Sequence, residues 1–124
     1  MKQPIHEDAV PWEIWAAGTH QEVHGKPLCD VGSGARVGVG LMELPPGCDT
    51  RPAHYHSLEE EHLYVLAGHA TLHLGDDTFA LEPGSYVCFP AGQPLLHCIE
   101  NTGAEPLRYL MIGERIAGDV VVHG

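Results

Sequence analysis

Positive charge is what this chain has least of. Six lysines and arginines stand against 17 aspartates and glutamates, a formal charge of −11 with the ten histidines counted neutral. Such a chain repels phosphate backbones and anionic lipid surfaces, so neither nucleic acid nor membrane is an expected partner. Long apolar runs are missing too, and nothing approaches the roughly 20 residues of a membrane-crossing helix. The opening Met1-Lys2-Gln3-Pro4-Ile5-His6-Glu7-Asp8 lacks the apolar centre of an export signal, which predicts a cytoplasmic location. The four cysteines, Cys29, Cys48, Cys88 and Cys98, include no CxxC pair and read as reduced, packed thiols.

What is abundant is punctuation. Fifteen glycines and ten prolines in 124 residues cut the chain into short pieces. Between them lie strand-like runs at Arg36–Leu44, Leu63–Ala67, Ala70–Leu74, Thr78–Leu81, Tyr86–Phe89, Leu96–Glu100 and Leu107–Ile112. Gly75-Asp76-Asp77 and Glu82-Pro83-Gly84 read as tight turns joining some of them. Many short strands at this spacing predict an all-β sandwich or barrel in a single domain. The segment Asp8–Ala17 could begin as a helix, but reads better as an arm laying Trp12 and Trp15 on the barrel or on a second subunit.

Histidine is the residue that points to chemistry. His54-Tyr55-His56 places two imidazoles on one face of an extended segment, because strand side chains alternate. Their Cα atoms then lie roughly 6.5–7 Å apart, a separation both rings can close by leaning on one ion. Glu61 follows after a short bend, and His97 can join from a neighbouring strand. Three neutral nitrogens and one carboxylate suit a divalent transition metal, with iron, manganese, zinc, nickel and copper all admissible. Ligation requires unprotonated imidazole, so binding is expected to weaken below roughly pH 6.

The motif around these residues is specific. Gly47, six residues, His54-Tyr55-His56, four residues, Glu61, six residues and Gly68 resembles the first signature of the cupin superfamily. Gly84, five residues, Pro90-Ala91-Gly92, four residues, His97, three residues and Asn101 resembles the second. The resemblance implies a jelly-roll barrel, the double-stranded β-helix, with an N-terminal arm. It also implies His54, His56, Glu61 and His97 as ligands of one metal per chain. Two spacings depart from the family pattern: one extra residue before His54, and two extra residues, within Gln93–Leu96, before His97. An even insertion keeps the strand face if it stays extended. Pro11–Trp15 with Val39–Gly47 further resembles small single-domain bacterial cupins, some of which carry a sugar-phosphate isomerase label. Residues 1–35 then form the arm and first strand, 36–113 the barrel and 114–124 a C-terminal tail.

Of three consecutive glutamates, only Glu61 keeps the motif spacing; Glu60 would face the other side of a strand. His62 likewise faces away, and His6, His20, His24, His69, His73 and His123 read as solvated side chains. Asn101 reads as a turn stabiliser. A divalent metal with one carboxylate leaves a site near +1, which favours a small anionic or chelating ligand. Four readings follow: a metal-binding module for a small molecule, with no activity assigned, a dioxygenase acting on a small organic acid or diol, a sugar or sugar-phosphate isomerase or epimerase, and a structural barrel. Phosphate recognition recruits arginine or lysine, and none of Lys2, Lys26, Arg36, Arg51, Arg108 and Arg115 neighbours a proposed ligand in sequence. That places the metal-binding module first, the dioxygenase second and the isomerase third. Barrel edges and the Trp12/Trp15 arm predict a homodimer.

Overall fold

The computed structural model describes residues 3–29 and 34–124. Residues 1–2 and 30–33 of the expected arm lie outside that range. Eleven strands follow in order: β1 (Glu13–Trp15), β2 (Val23–Cys29), β3 (Val37–Leu44), β4 (His54–His56), β5 (Glu61–Ala67), β6 (Ala70–Leu74), β7 (Asp77–Leu81), β8 (Tyr86–Phe89), β9 (His97–Glu100), β10 (Leu107–Glu114) and β11 (Val121–His123). They form one six-stranded sheet, β1-β2-β3-β10-β5-β8, and one five-stranded sheet, β11-β4-β9-β6-β7. The pairs within each sheet are antiparallel. The expected all-β jelly-roll barrel is the fold.

Alternation explains how the sheets close on each other. Leu107 and Tyr109 on β10 point inward, opposite Leu44 and Met42 of β3. Leu63 and Val65 of β5 continue that face, and Leu72 and Ile99 answer from the second sheet. Leu44, Leu63, Val65 and Leu107 are fully buried. Each such side chain contributes about 1.5–3 kcal/mol of burial. Asn101 ties the layers at one end, donating to the carbonyls of Leu44 (2.8 Å) and Glu105 (2.9 Å) and accepting from Gly103 N (3.0 Å). It is the turn stabiliser its motif position predicted. Gly68 is required by its backbone: φ is +87°, and a Cβ there would press into the carbonyl of Pro106.

The possible helix at Asp8–Ala17 is reduced to one 3-10 turn, Glu7–Ala9, followed by β1. Both tryptophans pack on the chain's own barrel. Trp12 lies under the Lys26 ammonium, 4.7 Å from ring centroid to Nζ, with the Arg108 guanidinium at 5.6 Å. Trp15 covers Gly25, where any side chain would collide with its ring. No helix among the described residues is long and apolar enough to cross a membrane.

Candidate metal centre

Two sheets meet at the candidate site. His54 and His56 project from the short strand β4, and His97 opens β9, directly opposite His54 in the register. Glu61 is the first residue of β5, in the other sheet. One ligating atom from each of His54, His56 and Glu61 can be chosen so that all three lie within 4.8 Å of one another. His56 Nε2 is 3.0 Å from Glu61 Oε1, and His97 Nε2 is 4.0 Å from the same oxygen. The rings of His54 and His97 stand 4.7 Å apart. His97 therefore borders the trio rather than joining its tightest grouping.

The longer gap before His97 is looped. Residues 90–96 carry no strand, Gly92 N donates to His56 O (2.8 Å), and Gly75 N donates to Leu96 O (2.9 Å). Pairing of β9 with His54 and Leu74 then returns His97 to the inward face. Parity along an extended segment is not what places this imidazole; the loop anchors do.

Electrostatics keep His97 neutral. The ring is stacked flat on Phe89, with centroids 3.7 Å apart and planes at 9°. Burial, with the neighbouring His54 and His56 adding to it, lowers its pKa to about 4. Glu61 Oε1 is buried and makes no hydrogen bond, despite its closeness to His56. A buried carboxylate oxygen without a donor is costly unless a cation faces it. Metal bonds of about 2.0–2.2 Å hold neighbouring ligand atoms roughly 3 Å apart, the spacing of the Glu61–His56 pair. The donor set fits a divalent transition ion.

None of Tyr64, Tyr86 and Tyr109 is placed to donate a proton at the candidate site. Tyr109 is buried in the core, and burial followed by the Glu61 charge pushes its phenol far above the ordinary range. Tyr64 and Tyr86 are 44% and 59% exposed and are cross-strand partners on β5 and β8. Glu60 pairs with His62 at 2.7 Å, away from Glu61, and His73 pairs with Glu100 at 3.0 Å. The four cysteines are free, and burial raises the thiols of Cys48, Cys88 and Cys98.

Two residues near the site had no signal in the local sequence. Asp119, just before β11, sets Oδ2 2.7 Å from His56 Nδ1 and accepts through Oδ1 from Leu58 N (2.8 Å) and Glu59 N (3.0 Å). Burial pushes its carboxyl up, but the bonds from His56, Leu58 and Glu59 outweigh that and hold it low. Glu59 beside it is buried and accepts from Ile116 N at 2.9 Å. Arg115 is the second. Its neighbour Gly113 is the cross-strand partner of Glu61, and a Cβ on Gly113 would meet Arg115 Nη1 at 3.2 Å and Glu61 Cγ at 3.4 Å. A cation remote in sequence thus stands beside the only acidic proposed ligand.

Comparison with known proteins agrees with this architecture. The family model described as "Cupin domain" matches residues 40–113. A protein of Acidithiobacillus ferrooxidans, provisionally named a sugar phosphate isomerase, is 32% identical, with 92% of this chain and 72% of that one covered and a TM-score of 0.80. A polyketide cyclase from Streptomyces resistomycificus is 26% identical over 99% of this chain and 85% of its own, at a TM-score of 0.82. A sugar phosphate isomerase from Silicibacter pomeroyi shares the fold at 23% identity, with 98% and 82% covered and a TM-score of 0.87. No curated protein matches the chain. The family match takes in β4 through β9, most of β3 and β10, and all four of the clustered histidine and glutamate residues; the chain belongs to the cupin family.

Proposed function

We propose that this cupin binds one divalent transition metal through His54, His56, Glu61 and His97 and presents it to a small anionic or chelating molecule. The observation that carries the reading is the buried, donorless Glu61 Oε1 facing imidazole nitrogens at 3.0 and 4.0 Å. When bound, such an ion supplies Lewis acidity toward a carbonyl or a coordinated water. The chain's residues do the rest. Glu61 contributes the negative charge, His97 stays unprotonated in its stack on Phe89, and Asp119 orients His56.

The test is elemental analysis of untagged protein purified without chelator. His54→Ala, His56→Ala, Glu61→Ala and His97→Ala should each lower metal content, Glu61→Ala at least as much as any. His62→Ala and His73→Ala should leave it intact. Stoichiometric metal that survives both His54→Ala and His56→Ala would refute the reading. Full occupancy in His97→Ala alone would reduce the site to two histidines and one carboxylate and favour iron and oxygen chemistry, which oxygen uptake by the iron(II)-loaded protein would reveal.

A second reading is isomerisation of a sugar or sugar phosphate, supported by the 32% identical Acidithiobacillus protein of that provisional name. Arg115 beside Glu61 supplies the cation that reading needs. We further propose a cytoplasmic homodimer.

A further inference from the structure

A cavity of about 630 Å³ opens beside Glu61, within the size range of small-molecule sites. Its floor is built on glycines. On β3, Gly38 and Gly40 share a face with Met42, and the register sets Gly113 opposite Gly38 and Met111 opposite Gly40. Three glycines therefore pave adjoining positions on the sheet face that carries Met42 and Met111 into the barrel. Met42 Sδ lies 3.2 Å from where a Gly40 Cβ would sit, and Arg115 Nη1 and Glu61 Cγ lie 3.2 and 3.4 Å from a Gly113 Cβ, so the missing side chains make room for an adaptable thioether wall and for the Glu61–Arg115 pair. Trp15 lines the same cavity from β1 and is 46% exposed, so its indole has free face to offer.

Charge in this cavity is arranged asymmetrically. Lys26 borders it, but its ammonium is engaged by Glu7 and lies over Trp12. Arg115 is different. One bond goes to the Glu114 carbonyl at 2.9 Å and Nη1 approaches Glu59 at 3.7 Å, while its side chain remains 58% exposed. Glu13 lies on β1, three strands away from β10 in the sheet order. With a divalent metal facing Glu61, the metal and Arg115 together outweigh Glu61 and Glu59 at that end of the cavity, while Met42, Met111 and Trp15 make an apolar wall.

We propose that the cavity takes a planar, mainly apolar organic carboxylate, with its carboxylate at Arg115 beside Glu61 and its body against the thioethers of Met42 and Met111 and the indole of Trp15. This deepens the reading of Glu61 as a metal ligand and rests on it for the charge balance. Arg115 is the specificity-determining residue: its fork matches a carboxylate, and charge-assisted bonds of this kind are the strong ones.

The test is calorimetric titration of the purified protein with 1-naphthoate, its neutral amide and ribose 5-phosphate, with metal content measured on every sample. The acid should bind at least about tenfold more tightly than the amide. Arg115→Gln should bring the acid down to the amide's level with metal content unchanged. Gly40→Leu, which crowds Met42 into the cavity, should abolish binding of both. Equal binding of acid and amide, no binding of either, an acid affinity indifferent to Arg115→Gln, or tighter binding of ribose 5-phosphate would each overturn the proposal. Failure of the metal reading shows separately, as metal content indifferent to His54→Ala and His56→Ala, and the acid-to-amide ratio still decides the cavity's class.

Discussion

His56 Nδ1 lies 2.7 Å from Asp119 Oδ2, a contact across 63 positions of chain that turns the other ring nitrogen toward Glu61. The same carboxylate caps the backbone of Leu58 and Glu59, so one side chain orients an imidazole and fixes the bend leading to β5. Partners of this kind hold a metal-ligating histidine in one tautomer and raise its basicity. Asp119→Ala should therefore weaken metal affinity by about 10–100-fold, with Asp119→Asn, which keeps an acceptor oxygen, intermediate. Competition with a chromophoric chelator reads this directly. Unchanged affinity in Asp119→Ala would show that β4 alone orients the ring.

His97 ties stability to pH in the metal-free protein. Its pKa is lowered from 6.5 to about 4 in the folded state, so below 6.5 the unfolded chain binds a proton that the folded chain refuses. Stability from this group is complete above 6.5 and is lost as pH falls toward 4, on the order of 3 kcal/mol in all. Urea unfolding in the presence of a chelator at pH 7.5 and pH 4.5 should show a steeper loss for wild type than for His97→Gln. Parallel losses would mean that His97 is readily protonated in the fold.

Asn101→Ala should destabilise the fold by about 2–3 kcal/mol, because the carbonyls of Leu44 and Glu105 lose their donor in a buried place. The midpoint of urea unfolding measures it. A change below about 0.5 kcal/mol would mean that water replaces the amide.

The proposed homodimer has a second candidate face besides the Trp12/Trp15 arm. Trp12 and Trp15 pack on their own barrel, whereas Tyr64 and Tyr86 pair across β5 and β8 with both rings exposed, β8 being a sheet edge. Tyr64→Glu with Tyr86→Glu should shift light scattering toward monomer. A dimer unaffected by that pair, yet lost on deleting the residues before Lys26, would return the interface to the arm.

The barrel strands were readable because turns such as Glu82-Pro83-Gly84 sharply bound short apolar runs, and β3, β5–β9 and β10 fall within two residues of the expected limits. Strand β2 carries Pro27 and a buried Lys26, which break the apolar alternation a reader looks for. Strand β11 is three largely exposed residues whose order comes from pairing with β4. The clustering of His54, His56 and Glu61 could be read from spacing, since strand parity and one short bend set it. Asp119 and Arg115 could not. They reach the site only through the pairing of β11 with β4 and of β10 with β5, and registers between distant segments leave no periodic trace.

The candidate ligands are divided between the sheets: His54, His56 and His97 on one, Glu61 on the other. An ion held by all four is thus a rivet through the sandwich, joining sheets that are otherwise held by side-chain packing and the Asn101 hydrogen bonds. Its free concentration would then act on the whole fold by mass action, adding about 2.7 kcal/mol when free metal stands at 100 times its dissociation constant. A cell starved of that metal would hold a looser barrel, more open to proteolysis, and the abundance of the protein would follow the supply of its ion.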